Sequence, residues 1–159
     1  MKFHSPMIIA SDIEASKQFY VDLLSETVLL DLGTFVVMDG FSIMAREAWS
    51  AETQDGAAPG RASGSSFVLY FEEYDLDSFV NYLSHEETPI EVFSPLFETP
   101  WGQRKIRVLD PDGYVIEVAE PMDEVVLRLL DSGMAQEEVA SKTMMPDQFV
   151  RDCDLARRK

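Results

Sequence analysis

Val108-Leu109-Asp110-Pro111-Asp112-Gly113-Tyr114-Val115-Ile116-Glu117-Val118 is the stretch from which the fold can be read. Asp110-Pro111-Asp112-Gly113 is a turn with a mechanism: proline presets φ, aspartate carboxylates satisfy nearby backbone N–H groups, and glycine supplies φ > 0. Apolar residues flank it on both sides, so it joins two strands, expected at residues 103–109 and 114–119, as a hairpin. In the second strand Tyr114, Ile116 and Val118 share one face, and Val115 and Glu117 share the other. Glu117 is therefore a lone carboxylate on a strand that is otherwise apolar.

Upstream of the hairpin the chain predicts a strand at 67–71 and a helix at 75–84 with Leu76, Phe79, Val80 and Leu83 on one face. A strand at 90–93 follows. The same order occurs at the beginning. A strand at 2–10 runs into Ser11-Asp12, and a helix at 13–24 carries Ile13, Phe19, Tyr20, Leu23 and Leu24 as one apolar stripe. Asp12 serves as N-cap; Ala15 at the third position forgoes the capping box, and Glu14 suits the positive helix end. Strands at 27–32, 34–38 and 41–45 follow, separated by Gly33 and by Asp39-Gly40, a strong hairpin signal. Residues 47–66 shift to Ala, Gly, Ser, Pro and Thr, with Asp55-Gly56 and Pro59-Gly60 as breakers, which predicts a loop or linker. A βαβββ unit is thus repeated. The expected division is residues 1–46, a linker at 47–65, residues 66–120, and an extension at 121–159.

Thirteen basic against 29 acidic residues give a formal net charge of −16, which repels phosphate backbones and anionic lipid surfaces. Neither nucleic acid nor membrane is expected as a partner. No run reaches the roughly 20 apolar residues of a membrane span, and no secretory signal pattern opens the chain, so a cytoplasmic location is expected. The single Cys153 allows no internal disulfide, and two histidines are too few for a His/Cys metal cage.

Ser11-Asp12-Ile13-Glu14-Ala15-Ser16-Lys17-Gln18-Phe19-Tyr20 after an apolar strand is echoed by Tyr74-Asp75-Leu76-Asp77-Ser78-Phe79 after another. With the terminal Asp-Pro-Asp-Gly-Tyr-Val-Ile-Glu-Val, the chain resembles the glyoxalase, bleomycin-resistance and dioxygenase superfamily, the vicinal oxygen chelate family, over about residues 2–120. The resemblance implies an α+β fold, with paired βαβββ modules forming curved mixed sheets around a cleft, here with a helical segment appended. Family enzymes hold a divalent metal there through His, Gln or Glu, leaving open positions for substrate oxygens. By the family spacing, the ligand positions fall on Ser5, Met44, Val68 and Glu117. A slip around Val68 gives only Phe67 or Ser66, and Arg46 and Glu47 lie close to Met44. Glu117 alone retains a ligand type, so the expectation is no metal and no cofactor. The alternative is a divalent ion held by Glu117 and His4, although bringing His4 inward would turn the strand's apolar set outward. The bland expectations are a half-exposed strand histidine for His4 and a surface cation near a helix end for His85.

A buried Glu117 needs a partner, for which Arg46, Arg104 and Arg107 are candidates. Phe35, Trp49, Tyr70, Phe93, Phe97 and Trp101 are candidate aromatic walls. Phe35, Tyr70 and Phe93 suit the core better than a ligand wall, while Trp49 and Trp101 adjoin loops and suit a rim. The expected ligand site is Glu117, Trp49, Trp101, Arg46, Tyr70 and Phe35, with Glu117 orienting a polar or cationic group.

Past Glu120-Pro121, helices are expected at 123–130, 135–142 and 146–158. Residues 126–140 look like the start of a helix-turn-helix. The third helix, however, sets Asp147, Asp152 and Asp154 against Arg151, and basic charge gathers only at Arg157-Arg158-Lys159, which does not suit DNA. The helices are expected to bury Val125, Leu129, Leu130, Val139, Phe149 and Val150 against the sheets or a partner subunit. The preferred function is a metal-free small-molecule-binding protein, homodimeric, and not an enzyme. The alternatives are a metal-dependent lyase, isomerase or dioxygenase using Glu117, and a regulatory module with a helix-turn-helix-like tail.

Overall fold

A computed structural model describes residues 3–52, 67–85 and 90–157. The chain is α+β and forms two compact units, Met1–Phe67 with Leu109–Val115, and Val68–Val108 with Ile116–Lys159.

In the first unit, β1 (Met7–Ala10), α1 (Ile13–Leu24), β2 (Val28–Asp31), β3 (Phe35–Met38) and β4 (Ser42–Ala45) form the expected βαβββ module. Its sheet has the order β1-β4-β3-β2, with β1 and β4 parallel and Ile8 opposite Ile43. Pairing of β1 begins only at Met7: the Pro6 carbonyl accepts from the Ser42 N–H, but proline has no N–H to return. Asp12 caps α1 by accepting from the Ala15 N–H at 3.0 Å. Ile8, Tyr20, Val36, Met38 and Ile43 are buried in this unit. Where a loop was expected from residue 47, Arg46–Glu52 forms a helix, α2, because Arg-Glu-Ala-Trp-Ser-Ala-Glu contains neither Gly nor Pro. The expected breakers Asp55-Gly56 and Pro59-Gly60 lie outside the described residues.

The Asp-Pro-Asp-Gly turn belongs to this first unit. The Gly113 N–H donates to the Asp110 carbonyl at 3.0 Å with Gly113 at φ +85, a conformation glycine adopts without steric cost. The Asp110 side chain accepts from the N–H groups of Asp112 (3.0 Å) and Tyr114 (2.8 Å) and from the Tyr20 hydroxyl (2.8 Å). The Asp112 carboxylate accepts from the Ser11 N–H (2.9 Å) and the Ser16 hydroxyl (3.2 Å), with Arg46 at 3.6 Å.

The second unit repeats the module as β5 (Val68–Glu72), α3 (Leu76–Leu83), β6 (Val92–Glu98), β7 (Arg104–Leu109) and β8 (Val115–Ala119), in the corresponding order β5-β8-β7-β6. Asp75 caps α3 through the Ser78 N–H at 3.0 Å, matching Asp12 on α1. The second strand of this module, β6, runs on to Glu98 rather than stopping at 93. Its ladder is irregular on both sides of Ser94, which accommodates Pro95.

The extension forms α4 (Met122–Asp131), α5 (Gln136–Thr143) and α6 (Asp147–Arg157). Val125, Val126, Leu129, Val139, Ala140, Val150 and Cys153 bury against one another in a core of their own, with Leu130 and Phe149 packed around it. The tail is thus a small three-helix layer. It also meets the loop before β7: the Gly102 carbonyl accepts from Arg128 at 2.5 Å. Asp77, Glu98, Arg104, Glu120, Arg128 and Lys142 form a linked set of ion pairs centred on buried Glu120.

Candidate functional site

Alternation along β7 places Ile106 and Val108 on its buried face, and Lys105 and Arg107 on the opposite one. The same alternation on β8 buries Ile116 and Val118 and turns Glu117 to the other side. Lys105 Nζ donates to Glu117 Oε1 at 3.0 Å and Arg107 Nε to Glu117 Oε2 at 2.7 Å. Both carboxylate oxygens therefore carry a cation. Exposure is 12% for the Glu117 side chain, 10% for Lys105 and 32% for Arg107, so the trio is largely withdrawn from water. Burial alone would raise the Glu117 pKa, but the hydrogen bonds and charges of Lys105 and Arg107 outweigh it and hold the carboxyl below its ordinary value.

Aromatic rings surround the trio. Phe97 on β6 is the cross-strand partner of Lys105, with the Arg107 guanidinium 5.3 Å from its centroid. Lys105 Nζ lies 5.3 Å from the Trp101 centroid and 6.0 Å from that of Phe97. Gln103, buried, joins the other members: its Oε1 accepts from Trp101 Nε1 at 3.3 Å, and its Nε2 donates to the Tyr70 hydroxyl at 3.0 Å and to the Glu120 carbonyl at 2.8 Å. Tyr70 is half exposed and donates to exposed Glu72. Its phenol pKa is raised, chiefly by burial.

Of the expected site residues, Glu117, Trp101 and Tyr70 thus come together in the second unit. Arg46, Trp49 and Phe35 belong to the first: Arg46 pairs with Asp112, Trp49 is half buried on α2, and Phe35 is half buried on β3 opposite Met44. Among the arginines considered for Glu117, Arg107 is its partner, whereas Arg104 serves Glu120 and Asp77. Lys105 and Gln103 were missed by the sequence reading. The signal was present, since Lys105 and Arg107 are two apart on the strand paired by the turn with that of Glu117.

His4 is exposed, with Nδ1 3.3 Å from the Ser5 hydroxyl. His85 lies past the end of α3, where Nδ1 donates to the Asn81 carbonyl at 2.7 Å. Among the described residues no three His, Cys, Asp or Glu side chains are placed to share a metal ion. The one carboxylate at a family ligand position has both oxygens in ion pairs with cations that would repel a divalent ion. This donor set does not fit the family metal.

The chain belongs to the glyoxalase-like domain family, whose model matches residues 3–123. Among solved structures, a protein of unknown function from Agrobacterium tumefaciens is similar at 34% identity and TM-score 0.67, covering 76% of this chain and 94% of that one. A glyoxalase/bleomycin resistance protein/dioxygenase from Nocardioides is similar at 22% identity and TM-score 0.60, covering 76% and 83%. A lactoylglutathione lyase from Agrobacterium tumefaciens is similar at 20% identity and TM-score 0.56, covering 77% and 96%. No curated protein matches.

Proposed function

We propose that this chain is a small-molecule-binding protein of the glyoxalase and bleomycin-resistance type, with a ligand site on the Glu117 face of the second sheet and no use of a divalent metal. The observation that carries this reading is the pairing of both Glu117 oxygens with Lys105 and Arg107, which gives the family's ligand position a different role. Phe97, Trp101 and Tyr70 beside that cluster supply the flat apolar surface a small organic ligand needs, and Gln103 fixes two of them. On this reading the chain binds rather than transforms its ligand, works in the cytoplasm and pairs as a homodimer. Exposed Leu29 and Leu30 on edge strand β2, with neighbouring Leu32, offer apolar surface for that pairing.

The test combines ligand screening by amide NMR with metal analysis of protein purified without chelator. Hits should shift the signals of Tyr70, Phe97, Trp101 and Glu117, and Trp101→Ala should abolish those shifts. A stoichiometric divalent ion that disappears in Glu117→Ala would overturn the metal-free reading.

A further inference from the structure

We infer that the ligand of this face is a planar aromatic monoanion, a carboxylate above all, received by Arg107 and Lys105 and stacked against Trp101 and Phe97; the inference rests on the binding reading just given. The ion-paired cluster contains two cations and one carboxylate, in a chain whose formal net charge is −16. Locally it favours an anion, against the trend of the whole protein. Glu72, two residues from Tyr70 on β5, is exposed to solvent and accepts from the Tyr70 hydroxyl.

The engagement of donors and acceptors points the same way. Trp101 Nε1 is held by Gln103, and Tyr70 is held between Gln103 and Glu72, so these groups set ring positions. Arg107 donates to Glu117 through Nε, and its guanidinium, near Phe97, carries a second edge made by its two terminal nitrogens. That edge matches the two oxygens of a carboxylate. Lys105 likewise donates to Glu117 through one hydrogen of three. A cationic ligand would meet a Glu117 whose oxygens already lie within 3.0 Å of two cations. The expectation that Glu117 orients a polar or cationic group gives way to one in which its two cationic partners orient an anion.

The test titrates the full chain with naphthoate, naphthol and naphthylmethylammonium, three probes that share a ring and differ in charge, by calorimetry and amide NMR. Naphthoate should bind about tenfold or more tightly than either of the others, a difference of about 1.4 kcal/mol. Arg107→Met should weaken naphthoate by about tenfold while leaving naphthol within about threefold, and Arg107→Lys should recover part of the loss. Glu117→Gln, which removes the competing anion, should tighten naphthoate. Equal binding of the three, or a preference for the ammonium probe, with shifts at Trp101 and Phe97 would overturn the anion inference and leave the binding reading standing. Failure of every probe to shift this face would overturn both.

Discussion

The Tyr20 hydroxyl donates to the Asp110 carboxylate at 2.8 Å, joining residues 90 positions apart in the sequence. Tyr20 is fully buried and its phenol pKa is pushed far up, first by burial and then by the charge of Asp110, so it remains a donor. Tyr20→Phe leaves Asp110 with its two backbone donors and removes one charge-assisted bond, at a cost of about 1.5–3 kcal/mol. Asp110→Ala strands the hydroxyl as well as both N–H groups and should cost more. Urea denaturation of the two variants checks the order, and equal midpoints would contradict it.

Glu117→Ala leaves Lys105 and Arg107 without their shared carboxylate in a site only 10% exposed at Lys105, whereas Glu117→Gln keeps an acceptor in place. A loss of about 3 kcal/mol is expected for the alanine variant and less for glutamine. Thermal unfolding of both proteins checks this; if alanine were the milder change, the ion pairs would not be holding the two strands.

Acid should weaken the fold through Glu117 and Glu120. Burial raises the Glu120 pKa, but bonds from Arg104 and Arg128 outweigh it and leave the folded value below the ordinary 4.5. A group depressed in this way contributes its full stability above about 4.5 and loses it as pH falls through the folded value. Asp110 has the opposite sign, since burial raises its pKa despite the Tyr114 and Tyr20 bonds, so it favours the folded state more as pH falls. Denaturant midpoints at about pH 6 and about pH 3.5 should differ less in Glu120→Gln than in the parent.

Two glycines share a positive φ and differ in surroundings. A Cβ on Gly102 (φ +88) would lie 3.3 Å from Leu129 Cδ1 and from Lys142 Cε, while one on Gly133 (φ +91) would meet nothing within 4 Å. Gly133→Ala should cost about 1 kcal/mol from backbone strain alone, and Gly102→Ala more, because Leu129 Cδ1 and Lys142 Cε must also give way by a few tenths of an ångström. Chemical denaturation of the pair separates strain from crowding.

Local chemistry explains what was legible in the sequence. Asp12 as a cap, the Asp-Pro-Asp-Gly turn and the period-two alternation around Glu117 depend on neighbours within a few residues, and the structure agrees with each. The continuation of β6 past Pro95 depends on tolerating irregular pairing, which no residue pattern announces. Helix α2 begins in a segment whose glycine-rich remainder dominated the composition. At the site, Glu117 was found because it was the odd residue on its strand. Its partners were harder, because Arg104, Lys105 and Arg107 are adjacent in sequence but point to different sides of β7, so Arg104 serves Glu120 instead. Trp101 and Tyr70 are united by Gln103, a residue whose type carried no signal.

Asp112 accepts from Ser11 and Ser16 and so belongs with the first unit, although about a hundred residues separate them. At roughly 5–20 residues per second of synthesis, the N-terminal half waits several seconds for the piece that completes it. Closing so long a loop is entropically costly, and the contact cannot form early by chance encounter between neighbours. Cutting the gene between the two repeats would therefore yield an N-terminal half with α1 uncoupled from its turn, and Tyr20 and Ser16 would be left with unanswered hydroxyls. The repeat is visible as two copies, but the first copy takes the partners of Ser11, Ser16 and Tyr20 from the turn between the last two strands.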